Sequence, residues 1–292
     1  MKFVITGADG FIGTNLVDFL AKEGQDVVAL TRTNKTTFLP KVKRIVTDYQ
    51  DINALASSLD GYKGACIIHL AWEGVNGAKK ADEQVQLANV ALACKVCEFG
   101  AKLSASRLIF AGTVAENAIK SFDTAQTLSK GMLYAAAKNA AKNFVTVLAK
   151  SMGLNFVWLT LSNIYGENNQ TGNLLSFVIE KLKAGEPAEL GPCDQWYDFV
   201  YIDDVLRGLA LVAKAKTLTK TEYYVGSGKP KKLRTFMQQV GKKMGKPELI
   251  KFGARASDGI KYSKKMFDIS ALKSEIGEYT LVDFASGLDK II

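Results

Sequence analysis

The chain is 292 residues long, 48% hydrophobic and 23% charged, with 25 Gly, 5 Pro and 4 Cys. That balance excludes a disordered tail, a collagen-like fibre and a small disulfide scaffold, and at this length roughly three quarters of the unfolded surface is buried on folding. The 38 basic against 29 acidic residues give a net charge of +9, but the lysines are scattered (Lys41/Lys43, Lys79/Lys80, Lys242/Lys243) and not interleaved with aromatics. A base-stacking platform needs that interleaving, so nucleic acid is not the expected partner. Solvated surface is the plain reading of the charge, and attraction for a polyanionic small molecule is the sharper one.

No run approaches the roughly 20 apolar residues that span a bilayer. Met1–Ile5 leads directly into a glycine turn with no signal-peptide core. Cys94 and Cys97 form a C-x-x-C inside a helical pattern, and Cys66 and Cys193 stand far away. With no second ligand pair the expectation is buried thiols, no metal and a reducing cytoplasm.

Along the chain, short apolar runs alternate with longer amphipathic stretches. Strands are predicted at Phe3–Thr6, Asp26–Leu30, Arg44–Thr47, Ala65–Leu70, Arg107–Ala111 and Asn155–Leu161. Helices are predicted at Ile12–Glu23, Ile52–Leu59, Ala81–Phe99 and Leu133–Met152, closed by Gly24, Gly100 and Gly153 where a left-handed cap is expected. Continuously apolar strands alternating with helices predict an α/β fold, a doubly wound parallel sheet covered on both faces. Beyond Tyr165 the rhythm breaks into a helix at Leu174–Ala184, the run Asp198–Tyr201, a helix from Asp203 to about Lys214 and a strand at Glu222–Val225. This predicts a smaller C-terminal lobe over the carboxyl ends of the strands. The expected division is 1–165 with 199–225 returning to it, against 166–198 and 226–292.

Gly7, Gly10 and Gly13 join the first strand to the first helix in the spacing of a dinucleotide turn. The first permits the tight turn, the second lets backbone approach a pyrophosphate, and the third lets helix and strand pack, while the helix N-terminus faces the phosphates. Gly7, Gly10, Phe11, Ile12 and Gly13 are therefore expected cofactor contacts. The second strand ends in Leu30-Thr31-Arg32 with no carboxylate. A guanidinium there suits a 2′-phosphate, so NADP is expected, with NAD as the alternative. Asp48 is either a contact to the adenine or a turn residue.

Tyr134 and Lys138 lie one helical turn apart on one face. An ammonium about 4 Å from a phenol, at an effective dielectric near 20, is worth about 4 kcal/mol, or about three pKa units, enough to make the phenol a working acid or base. Thr113, after a strand whose carboxyl end should face the cofactor, is the expected hydroxyl that orients the reacting oxygen. His69, the only histidine, reads as structural, and Trp72, in Trp72-Glu73-Gly74, as a contact to nicotinamide or substrate or an ordinary loop residue.

The glycine turn, His69-Leu70-Ala71, Gly112-Thr113, Tyr134-x-x-x-Lys138, Asn163-Ile164-Tyr165-Gly166 and Asp198-Phe199-Val200-Tyr201-Ile202-Asp203-Asp204-Val205 occur in the order found in extended short-chain dehydrogenase/reductases. The chain resembles their nucleotide-sugar epimerase, dehydratase and reductase branch. The resemblance implies a Rossmann domain, a lobe that binds a nucleotide-diphosphate sugar, and Thr113, Tyr134 and Lys138 as the catalytic trio. It further implies that Lys138 binds the nicotinamide ribose, Leu70 and Ala71 contact the cofactor, and Asn163 faces the substrate. Gln195 and Tyr197 join as substrate contacts. Relatives often carry Arg just before the Asp, and since Tyr197 lacks that charge, Arg255 or a nearby Lys is expected to grip the diphosphate. Val114-Ala115 stand where 4,6-dehydratases carry an Asp-Glu pair, and Glu116 is one position too far to replace it. The expectation is an NADPH-dependent reductase of a 4-keto nucleotide-diphosphate sugar. A C4 epimerase and a non-catalytic dinucleotide-sensing or RNA-binding protein are the alternatives. A homodimer through the two long helices is left open.

Overall fold

The structure, a computed structural model, describes residues 1–122, 128–169, 172–257 and 262–292. In chain order the first elements are β1 (Lys2–Thr6), α1 (Phe11–Lys22), β2 (Asp26–Thr31), β3 (Lys43–Val46), α2 (Ile52–Ser58), β4 (Cys66–His69), α3 (Glu83–Lys102), β5 (Arg107–Thr113), α4 (Leu133–Ser151) and β6 (Phe156–Leu161). There follow β7 (Asn163–Tyr165), α5 (Leu174–Lys183), the short β8 (Ala188–Glu189) and β9 (Trp196–Tyr197), β10 (Phe199–Tyr201), α6 (Ile202–Lys214) and β11 (Glu222–Val225). The chain ends with β12 (Lys231–Lys232), α7 (Leu233–Lys243), β13 (Ile250–Lys251), α8 (Ser270–Ile276) and α9 (Phe284–Asp289).

Seven strands form the central sheet in the order β11-β6-β5-β4-β1-β2-β3. The pairs β1–β2, β1–β4, β2–β3 and β4–β5 are all parallel. At the far edge Trp158 N–H donates to Thr221 O and Ser162 N–H to Val225 O, so β6 and β11 also advance in the same direction. The run of apolar residues explains the arrangement. Phe3, Val4 and Ile5 of β1 and Cys66, Ile67 and Ile68 of β4 are all fully buried, because helices cover both faces and leave no polar side to alternate with. The winding reverses between β1 and β4, and the crevice outside their carboxyl ends is where such sheets bind ligands.

Local signals set most of the boundaries. Asp51, Asp82 and Asn173 cap α2, α3 and α5 by accepting the N–H of Ala54, Val85 and Ser176. Gly24 and Gly153 follow α1 and α4 with φ of +73° and +65°. Gly100 is a correction: it does not close its helix, which runs on to Lys102. A Cβ there would stand 2.6 Å from the Leu108 side chain, so the glycine serves the approach of α3 to β5 rather than a cap.

The chain divides into two compact units. The first holds residues 1–116, 129–160 and 209–223, and the second 117–128, 161–208 and 224–292. In the second, β7 and β10 pair in parallel, and Tyr165, Phe199, Tyr201, Phe236 and Phe284 pack ring against ring at centroid distances of 4.7–6.1 Å. Asp204, fully buried, accepts from Arg207 at 2.6 Å and from the N–H groups of Leu281 and Val282, tying the C-terminal segment to α6. Among the described residues no helix is long and apolar enough to cross a membrane.

Candidate active site

The first unit carries a cavity of about 740 Å³ over the glycine turn, within the range of small-molecule and cofactor sites. Gly7 sits at φ +65°, and a Cβ on it would come within 2.6 Å of the Ala71 backbone. A Cβ on Gly13 would come within 2.1 Å of Gly7 O, so any larger residue would push α1 off the turn. Of the residues expected at the cofactor, Gly7, Gly10, Arg32, Asp48, Leu70 and Ala71 line this cavity, and Trp72, expected at the substrate, lines it too. Phe11, Ile12, Gly13, Tyr134 and Lys138 are not among its walls. The glycine cradle, the apolar walls from Leu30, Leu70, Ala71, Ala88 and Leu92, and a cation at the rim fit a dinucleotide.

Three features of this cavity bear on its chemistry. Tyr49 takes a left-handed φ of +59°, is 4% exposed, and turns its phenol to Thr6 and the Gly7 backbone beneath the glycine turn. Asp48 accepts the Gln50 N–H at 3.0 Å, a turn role for one of its oxygens. Third, Glu73 stands beside Arg32: its carboxylate is 2.6 Å from the guanidinium and 2.5 Å from the Lys79 ammonium. Lys79 first, and Arg32 with it, hold that carboxyl below the usual range. The Glu73 backbone is fixed by Asn89 of α3, which accepts its N–H at 2.9 Å and donates to its carbonyl at 2.8 Å. The acid missing at the end of β2 is thus present in space. The only sequence signal was an acidic residue two positions past Ala71.

The end of β5 and the first turns of α4 bring Thr113, Tyr134 and Lys138 together. Tyr134 is 8% and Lys138 6% exposed, and the Tyr134 phenol faces the Thr113 side chain. Lys138 Nζ donates to Ala111 O at 2.7 Å and lies 3.8 Å from the centre of the Trp72 ring, which itself meets the Tyr134 ring edge-on at 6.2 Å. The expected acidification of the phenol is corrected here. Burial pushes the Tyr134 phenol above its ordinary value, Thr113 pulls the other way, and the nearby Glu116 carboxylate raises it further. Burial is the largest cause of that rise. Burial also depresses the Lys138 pKa to about 7, so near neutral pH the amine carries only part of its charge. Burial therefore keeps the phenol protonated.

His69 accords with its structural reading. Its Nδ1 lies 2.8 Å from Thr6 Oγ1, and burial holds its pKa down at about 3. The four cysteines are all thiols, with Cys66, Cys97 and Cys193 buried. The described residues contain no group of His, Cys, Asp and Glu that could hold a metal ion.

In the second unit, the Tyr197 hydroxyl donates to Asn163 Oδ1 at 2.8 Å, and Asn163 Nδ2 donates to Asp198 O at 3.1 Å. Asp198 is fully buried and accepts from the Tyr224 hydroxyl at 2.8 Å and from both the N–H and the hydroxyl of Ser227, which makes it the anchor of this strand end. Gln195 is half-buried. Arg255 is exposed, with its guanidinium 5.4 Å from the Phe177 ring centre.

Comparison with known proteins agrees with this geometry. Residues 3–226 match the model of the NAD dependent epimerase/dehydratase family. CDP-abequose synthase of Salmonella muenchen is 26% identical over 262 residues, which cover 87% of this chain and 85% of the relative. dTDP-4-dehydro-6-deoxyglucose reductase of Escherichia coli is 23% identical over an alignment of 311 residues, covering 99% and 96%. Among solved structures, UDP-glucuronic acid 4-epimerase from Bacillus cereus, in complex with UDP-glucuronic acid and NAD, has the same fold, with a TM-score of 0.79 at 20% identity over 99% of this chain and 97% of that one. With the glycine cradle and the Thr–Tyr–Lys trio in place, the chain belongs to the NAD dependent epimerase/dehydratase family and is an NAD(P)-dependent enzyme of the extended short-chain dehydrogenase/reductase type.

Proposed function

We propose that the protein is an NADPH-dependent reductase of a 4-keto nucleotide-diphosphate sugar. The observation that carries this reading is the buried Tyr134 phenol, kept protonated by its burial and facing Thr113. Reduction of a carbonyl needs a hydride at carbon and a proton at oxygen, and a protonated phenol meets the second need. A bound NADPH supplies the hydride. Tyr134 gives its proton to the carbonyl oxygen and is left as the phenolate, Thr113 holds that oxygen toward the phenol, and Lys138 holds the β5 end through Ala111 O. Val114-Ala115 supply no acid or base for elimination of water. The names of the two relatives, a CDP-abequose synthase and a dTDP-4-dehydro-6-deoxyglucose reductase, support the substrate class.

Arg32 at the cavity rim favours NADPH over NADH. The second reading, a C4 epimerase using NAD, is favoured by one observation: Glu73 occupies that same guanidinium. By resemblance Asn163, Gln195, Tyr197 and Arg255 are assigned to the nucleotide sugar, and the cytoplasm is the assigned compartment. Membership of an enzyme family leaves the sensing or RNA-binding alternative without support. The test is stopped-flow absorbance at the NADPH band with CDP-, dTDP- and UDP-linked 4-keto sugars. Oxidation of bound NADPH by at least one of them is expected. Binding of NADPH with no oxidation by any of them would reject the assignment.

A further inference from the structure

Glu116 has no part in the chemistry above, yet it is built into the floor of that site. It is 4% exposed. Its Oε1 accepts the backbone N–H of Thr113 at 2.7 Å, and both its oxygens face Trp158 Nε1, at 3.3 and 3.1 Å. Lys142 Nζ stands 3.6 Å from Oε2 and reaches Glu222 at 3.0 Å on its other side. The strand end is shaped round this carboxylate. A Cβ on Gly112 would fall 2.1 Å from Trp158 Nε1 and 2.6 Å from Glu116 Oε1, so only a glycine lets the two meet.

Burying a carboxylate costs several kcal/mol, and an apolar side chain would fill the same space without that cost. Leaving its donors unpaired would cost again, which is why the donors come as a set. What the set fixes is the peptide of Thr113, one residue from the glycine and at the last residue of β5. The Thr113 hydroxyl is the group that aims the reacting oxygen at Tyr134, and small displacements of such a group lower rates steeply.

We propose that Glu116 is a positioning residue of this enzyme: its carboxylate locks the Thr113 peptide, and through it the hydroxyl, in the orientation that proton transfer from Tyr134 requires. The proposal rests on the reading of Thr113 and Tyr134 as catalytic. Charged groups facing Glu116 are Lys142 and Lys138 of α4, with Glu222 beyond Lys142, and Glu116 in turn raises the pKa of both Tyr134 and Lys138. The anion therefore also helps keep the phenol protonated.

The test is Glu116→Leu and Glu116→Gln, each alone and combined with Thr113→Ala. Glu116→Leu is expected to lower kcat by about 10- to 100-fold, with KM for the keto sugar and Kd for NADPH within about twofold, and to cause no further loss in the Thr113→Ala background, since two residues acting through one group are not additive. Glu116→Gln keeps an acceptor for the Thr113 N–H and is expected to retain kcat within about threefold. Additive losses, or a rise in KM and Kd that accounts for the change, would overturn the proposal. If Glu116→Leu does not fold, Glu116→Gln decides: a loss approaching 100-fold would mean that the charge, and not the bond to Thr113, is what counts. Hydrogen exchange at the Thr113 amide gives a readout without turnover. Protection is expected in the wild type and in Glu116→Gln, and protection that persists in a folded Glu116→Leu protein sinks the proposal even where wild-type activity toward keto sugars is absent.

Discussion

Two charged clusters of the first unit differ in what surrounds them. At the rim of the cavity, Arg32, Glu73 and Lys79 meet in water, with side chains 62%, 33% and 63% exposed. At the end of β5, Glu116 and Lys138 are 4% and 6% exposed. An exposed ion pair is worth about 0–1 kcal/mol, because solvent and salt replace either partner at little cost. A buried charge has no such substitute, and removing one partner costs several times more. The rim cluster is therefore exchangeable and suited to releasing a guanidinium to a ligand. The inner cluster is fixed and sets protonation states. Under the proposed function, cofactor choice and proton transfer lie in different dielectric surroundings.

The contrast can be broken first at Lys138. Lys138→Met is expected to reduce turnover by about 100-fold or more, in the range of a lost acid–base partner. The same variant reports the buried charge through pH. Burial lowers the Lys138 pKa from 10.5 to about 7 in the folded protein. Between these values the unfolded chain holds one proton more than the native one, so wild-type stability should rise with pH through this window, by at most about 1.4 kcal/mol per pH unit. Urea unfolding at several pH values should show that rise in the wild type relative to Lys138→Met. Parallel curves would mean that the ammonium remains charged in the core.

A smaller effect is expected at the rim. Arg32→Ala should weaken NADPH by about 10-fold while leaving NADH nearly unchanged, since only the first has a phosphate for the guanidinium. Isothermal titration with each cofactor checks this, and equal losses for both would remove Arg32 from cofactor choice. Smallest of all, Glu73→Gln frees Arg32 from its competitor and should tighten NADPH by about threefold at low salt. The gain should fade as ionic strength rises. Weaker NADPH binding in that variant would make Glu73 a partner of the cofactor and not its rival.

Sequence patterns revealed what is local and periodic. Apolar strands, the Gly7/Gly10/Gly13 turn and the i, i+4 relation of Tyr134 and Lys138 each depend on a few neighbouring residues, and the folded chain brings Thr113 to that pair. Gly100 was legible only as a type, because a glycine that ends a helix and one that admits Leu108 look alike in one dimension. Glu73 meets Arg32 across 41 positions, and Tyr49 reaches under the glycine turn from beyond β3. Neither partnership has a short-range signature. The state of Tyr134 escaped for a related reason: spacing fixes which face a side chain shares, whereas burial, with Glu116 beside it, fixes its charge.

The most direct trial of the account is single-turnover oxidation of NADPH by a 4-keto nucleotide sugar in Tyr134→Phe beside the wild type, with NADPH affinity measured in both. Loss of the phenolic proton should slow the step by about 100- to 10,000-fold while Kd for NADPH stays within about twofold. Turnover in the Phe variant at a rate near that of the wild type would contradict the role of Tyr134 as the proton donor.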